Sequence, residues 1–232
     1  MGHFLELKPT PDQTFRIIGH GERGDMVRTL ALSREAEQQG DYERACNIRF
    51  HAFQHIVELI PEDEPTELDR NHANTMAAME IVQGSAVDNF LAGDAELAAA
   101  QFELLLDCDG EDPLECTPML ALCYVALGEW DCLEDVMCDV DDKSALKQLL
   151  RAILSFVASG SIDPAAIAAL SRYHKEFYAE LLALEHPTDE RYVQDISSER
   201  PSREAVAREL YLRCEPALDH LPEFMGALRE KR

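Results

Sequence analysis

The sequence predicts an all-α fold: helical hairpins stacked side by side, with extra helices at the N- and C-terminal ends. Three observations carry that expectation. The composition is helix-forming stock, 46% hydrophobic and 7% aromatic with 11 Gly and 11 Pro, which argues against disorder and against a turn-rich β protein. Apolar residues recur mainly at helical spacing. Four glycines, Gly40, Gly93, Gly128 and Gly160, punctuate helix pairs at separations of 53, 35 and 32 residues, and the last two bracket the roughly 34-residue period of a helix–turn–helix repeat.

The elements follow in order. Thr10-Pro11-Asp12-Gln13 has the form of a helix start, with Pro at the first helical position, and predicts a short helix to about Gly19. Helices are expected over about 25–39 and 41–60, the first stopped by Gly40 and the second by Pro61. After the acidic connector PEDEPTE a long helix runs over about 66–92 to Gly93, and another over about 96–106 enters the turn-rich DCDGEDP. Thr117-Pro118 opens a helix that Gly128 ends, and Asp131 with Glu134 resembles a capping box for its partner. Ser144 caps a helix to Ser159, and Asp163-Pro164 opens a long one to about Leu184. The stretch HPTDERYVQDISSERPS is mostly loop with room for one turn of helix, Ser202 caps a helix to about Arg213, and Pro216 and Pro222 break the remainder before a basic ALREKR tail. This divides the chain into an N-terminal segment 1–24, a repeat array 25–184 of three to four hairpins, and a C-terminal loop with capping helices 185–232.

Residues around the glycines repeat as well. Gly40 is accompanied by Leu32, Ser33, Tyr42 and Ala45; Gly128 by Leu120, Ala121, Tyr124 and Trp130, with Leu133 where Ala stands in the first unit; Gly93 by Ala86, Ala98 and Phe102; Gly160 more weakly by Phe156, Ile162 and Ala165. In this pattern the chain resembles the tetratricopeptide repeat family. The resemblance covers about residues 25–184. It implies a right-handed superhelix of hairpins in which the small residues let paired helices approach closely and the aromatic after the turn plugs the gap between hairpins. It further implies that the first helix of each pair lines a concave surface that receives peptides. The lining positions, six and three residues before each glycine, are Arg34 and Glu37, Val87 and Phe90, Leu122 and Val125, and Leu154 and Val157, with Leu91 beside them. The first pair is charged and the rest are hydrocarbon, which departs from the Lys, Arg and Asn lining that grips a C-terminal carboxylate in some family members.

The expected function is that of a cytoplasmic protein–protein interaction module, an adaptor or chaperone-like scaffold rather than an enzyme, with no cofactor implied. The helix PMLALCYVAL is apolar nearly all round, so something must cover it: the chain's own C-terminal segment around Val206, Leu210, Leu218, Leu221 and Phe224, a partner peptide or helix, or a second copy in a homodimer. With 45 acidic residues against 21 basic, for a net charge of −24, nucleic acid and anionic membrane surfaces are disfavoured; the acidity reads first as solubility, and as the alternative it steers in a basic partner protein or peptide. No apolar run approaches the roughly 18–20 residues of a membrane span, and MGHFLELKPTPD lacks the order of a signal peptide.

Three motifs suggest other chemistry. Gly19-His20-Gly21-Glu22-Arg23-Gly24 fits G-x-G-x-x-G after FRII, but no second strand is expected to complete a dinucleotide fold, so it reads as an interhelix loop. His51 and His55 stand one helical turn apart, and His72 is the only further ligand suggested for a metal. Cys116, Cys123, Cys132 and Cys138 fall close together without forming C-x-x-C. A metal- or redox-responsive helical protein or enzyme built on the histidines or the cysteine cluster is therefore the alternative. Asp107, Asp109, Glu111 and Asp112 have the wrong glycine position for a calcium loop and read as a solvated turn.

Overall fold

The computed structural model describes residues 4–61 and 64–230. The first three residues, Glu62 and Asp63 of the acidic connector, and the last two residues of the basic tail lie outside the described residues. Helix dominates, with one two-stranded sheet, and the helices pack against one another. The chain forms two compact units, Met1–Leu120 and Ala121–Arg232, and the boundary falls within a helix, Cys116–Leu127.

The first unit opens on a β-hairpin, which corrects the helix expected over 10–19. Strands β1 (Leu5–Pro9) and β2 (Phe15–Gly19) pair antiparallel, with Leu7 opposite Ile17. The stretch Thr10–Thr14 is the turn between them: Thr10 N–H donates to Thr14 O at 2.8 Å, and Gln13 adopts a left-handed φ of 65°. Pro11 serves the turn, a position that suits its fixed φ as well as a helix start does. Alternation decides the outcome, because Leu5 and Ile17 point into the core while Glu6 and Arg16 are exposed. Thr75 and Asn74 anchor the hairpin: Ile17 N–H donates to Thr75 Oγ1 at 3.0 Å, and Asn74 Nδ2 donates to Ile17 O at 3.1 Å.

The G-x-G-x-x-G motif does end a strand and open a helical turn, α1 (Gly21–Gly24). The chain then enters helix α2 (Met26–Gln38) rather than a parallel strand. Two of its glycines serve a close backbone crossing. A Cβ on Gly19 would stand 1.8 Å from Gly24 O, and one on Gly24 would stand 2.2 Å from Phe4 O.

Helices α2, α3 (Tyr42–Val57), α4 (Ala73–Leu91) and α5 (Ala95–Cys108) form the rest of this unit. α2 packs on α3 and α4, α3 on α4, and α4 on α5. The helix α4 starts seven residues later than expected, because Leu68 forms a parallel bridge with Phe15 and its N–H donates to Cys108 O. Bonding to segments distant in sequence thus takes residues whose local pattern also suits a helix. Helix α6 (Cys116–Leu127) begins where the Asp112 carboxylate accepts from the N–H groups of Cys116 and Thr117. Thr117 is not the cap.

The second unit contains α7 (Trp130–Val136), α8 (Ala145–Ser159), α9 (Pro164–Tyr173), α10 (Lys175–Leu182), α11 (Glu190–Ile196), α12 (Arg203–Leu218) and α13 (Pro222–Glu230). The expected Asp131–Glu134 box does not start α7; Glu129 occupies the cap position without a side-chain bond. The caps Ser144, Asp163 and Ser202 form as expected, each accepting a backbone N–H of the first turn. The long helix expected from Asp163 breaks at His174, with neither Gly nor Pro there; α9 packs on α8 while α10 packs on α12. Pro216 lies inside α12 and Pro222 is the first residue of α13, so neither breaks the chain into short pieces.

The glycine turns are closed by one bonding pattern. Gly40, Gly93 and Gly128 have φ of 75°, 89° and 71°. Each N–H donates to the carbonyl three residues back, on Glu37, Phe90 and Val125. The next residue's N–H reaches five residues back, to Ala36, Asn89 and Tyr124, which is a Schellman closure. Residues seven before these glycines (Ser33, Ala86, Ala121) and five after (Ala45, Ala98, Leu133) are each 0% exposed. Gly160 closes differently, with one bond to Phe156 O, and its counterpart Ala165 is exposed while Ala166 is buried. The aromatic plug is absent from the first hairpin, where Tyr42 is 67% exposed.

Candidate functional site

The residues expected to line a concave groove divide sharply by exposure. In the first unit Arg34 and Glu37 are not free charges: Arg34 pairs with Glu80, and Glu37 accepts from Arg49 at 2.5 Å. Phe90 is 1% exposed and belongs to the core, Val87 is half-buried, and Leu91 is 53% exposed. In the second unit Leu122 and Val125 are buried, Leu154 is half-buried, and Val157 is exposed. Leu91 and Val157 are thus at the surface, whereas Phe90, Leu122 and Val125 are not. Phe224, from the C-terminal segment expected to act as a cover, packs edge-on against Phe156 of α8 with ring centroids 5.7 Å apart.

Sequence reasoning missed the strongest polar contact of the first unit. Arg49, on α3, is buried and holds Asp88 of α4 with two parallel bonds, Nε to Oδ2 at 2.7 Å and Nη2 to Oδ1 at 2.8 Å. Its remaining arm donates to Glu37 of α2, so one guanidinium ties three helices together. Gly84 makes the room: a Cβ there would stand 2.7 Å from Arg49 Cδ. The available signal was an isolated glycine within a helical pattern, which commonly marks a close packing contact.

The second unit has a comparable centre. Glu180, on α10, is buried and accepts from Arg208 through both oxygens, at 2.8 and 3.2 Å, and bonds His186 Nδ1 at 2.9 Å. His186 in turn stacks on Tyr211, centroids 3.7 Å apart. Burial pushes the Glu180 carboxyl up, but the bonds from Arg208 and His186 outweigh it and hold the group below its ordinary value.

The motifs with tempting chemistry are separated or neutralised. His51 and His55 lie on one face of α3, His51 Nδ1 beside Gln54 Oε1 at 3.4 Å and His55 Nδ1 3.8 Å from Glu58. His72 bonds Thr75 instead. Among the described residues no three His, Cys, Asp or Glu side chains converge as a metal site. Cys116 and Cys123 are buried, while Cys132 and Cys138 are exposed. Burial, reinforced by Asp112, raises the Cys116 thiol, and burial pushes Cys214 up to about 12, the reverse of what a thiolate nucleophile needs. In the acidic turn, Arg70 pairs with Asp109 and Glu111 while Asp112 caps α6. No helix among the described residues is long and apolar enough to cross a membrane.

Comparison with protein-family models, with curated proteins and with solved structures finds no match to this chain.

Proposed function

We propose that this chain is a protein-binding module of the tetratricopeptide type, an adaptor or chaperone-like scaffold that takes a basic peptide or helix from a partner protein. One observation carries the reading: the same Schellman closure recurs at Gly40, Gly93 and Gly128, flanked by the same fully buried positions. Such recurrence is the signature of stacked helix pairs, an architecture whose common use is to display an extended binding surface. Of the expected lining residues, Val87 and Leu91 of the first unit and Leu154 and Val157 of the second keep exposure, while Phe90, Leu122 and Val125 are buried. The net charge of −24 favours a basic ligand and steers its approach.

Peptide ligands selected from a random display library, then titrated by fluorescence anisotropy, test the reading. Basic sequences with apolar anchors should dominate, and their affinity should fall as salt screens the charges. Leu91→Asp and Val157→Asp should each weaken binding by about tenfold or more, the usual effect of removing one apolar anchor from an interface. Selection of acidic ligands, or indifference to both substitutions, counts against the proposal.

A further inference from the structure

Two motifs with no part in the proposed function, the Gly19–Gly24 loop and the His51/His55 pair, meet at one cleft of the first unit. Phe4, Arg23, Met26, Thr29, Ile48, His51, Ala52 and His55 line it, and it measures about 300 Å³, the lower end of the range for small-ligand sites. Its floor is apolar: Met26 and Ala52 are buried, Phe4 and Ile48 are half-buried, and Phe4 stands edge-on to His55 with centroids 4.7 Å apart. Its rim carries the guanidinium of Arg23 and the imidazoles of His51 and His55, all exposed.

We infer that this cleft binds an amphipathic monoanion, a small molecule with a flat apolar body and one carboxylate. Arg23, like several other arginines of this chain, makes no ion pair among the described residues, so its guanidinium is not already neutralised by a carboxylate. A permanent cation beside an apolar floor supplies both halves of an amphipathic anion's recognition. The Nδ1 atoms of His51 and His55 face Gln54 and Glu58, which leaves each ring its Nε2. One charge is the fitting number, because Arg23 is the single guanidinium on the rim, and the chain's overall negative field penalises a dianion further. The volume matches about ten waters, or a single-ring acid.

The cleft is also preformed. Gly24 packs against Phe4 O, and His20 N–H donates to that same oxygen at 2.8 Å. Asn74 Oδ1 accepts from Met26 N–H at 2.8 Å, tying the start of α2 to α4. A ligand therefore has little to order on binding. This inference is independent of the protein-binding reading, because it uses none of that reading's residues.

Titration of the full chain with phenylacetate, followed by ¹H–¹⁵N NMR, tests it. Saturable shifts are expected at the amides of Met26, Thr29, Ile48 and Ala52. Acetate lacks the apolar body and 2-phenylethanol lacks the charge, so neither should give saturable shifts there. Arg23→Gln should weaken phenylacetate binding about tenfold, as expected when one charge-assisted bond is removed. Arg23 is exposed, and a dispersed spectrum establishes that the variant folds. Absence of saturable phenylacetate shifts, equal binding of 2-phenylethanol, or unchanged affinity in Arg23→Gln each overturns the inference.

Discussion

Gly84→Ala should destabilise the protein, although alanine is the better helix former. In an interior helical position the exchange contributes about 1 kcal/mol in favour of the helix. Here the new Cβ would stand 2.7 Å from Cδ and 3.3 Å from Nε of Arg49. The guanidinium must then leave its paired geometry with Asp88, at 2.7 and 2.8 Å. Losing one charge-assisted bond at this buried arginine costs about 2–3 kcal/mol. The contact to Glu37 adds little, because that carboxylate is 40% exposed and screened. The net effect is a loss of about 1–2 kcal/mol. The sign should reverse in an Arg49→Ala background, where the obstruction is gone and only the helix preference remains, a gain of about 1 kcal/mol. Urea unfolding followed by circular dichroism measures both, provided the slope with denaturant is unchanged. A stabilising Gly84→Ala in the wild-type background, or the same change in both backgrounds, refutes the assignment of Gly84 as the space Arg49 occupies.

Two further predictions concern stability. Glu180 has a carboxyl held below its ordinary value in the folded state, so its stabilisation is fully present above the unfolded pKa of about 4.3 and is lost as pH falls through the lower folded value. The stability difference between wild type and Glu180→Gln should therefore hold from pH 7 to 5 and shrink below about pH 4; a difference constant down to pH 3 contradicts it. Gly93→Ala and Gly226→Ala should move thermal midpoints in opposite directions. Both sites are open to a Cβ, but Gly93 has φ of 89° while Gly226 lies within α13 without a left-handed φ. The first should lose about 1–2 kcal/mol and the second gain about 0.5–1 kcal/mol, and shifts of the same sign would refute the reasoning.

How far the sequence could be read depended on the range of the interaction. The turn at Gly93 was legible because a left-handed residue, a following Asp cap and a small residue five positions on all act within one hairpin. The N-terminal hairpin was not, because Thr-Pro-Asp-Gln suits a turn and a helix start equally, and the deciding bonds come from Asn74 and Thr75, more than fifty residues away. Arg49 was hidden for the same reason. Its charge suggested a solvated helix face, and only its neighbours on α2 and α4 make it a buried tie. For the proposed wall, the repeat resemblance put Phe90, Leu122 and Val125 on a peptide-receiving surface, whereas all three are buried, an outcome that spacing does not fix.

By itself, then, the amino-acid order determined the glycine turns at Gly40, Gly93 and Gly128 and the helices that flank them, since backbone φ preference, capping and the 3.6-residue period act over a few residues. Tertiary packing alone decided which apolar side chains are closed off, which charges are neutralised, and that Arg23, His51 and His55 share a cleft. Those outcomes depend on contacts between segments distant in sequence, for which no local pattern carries a signal.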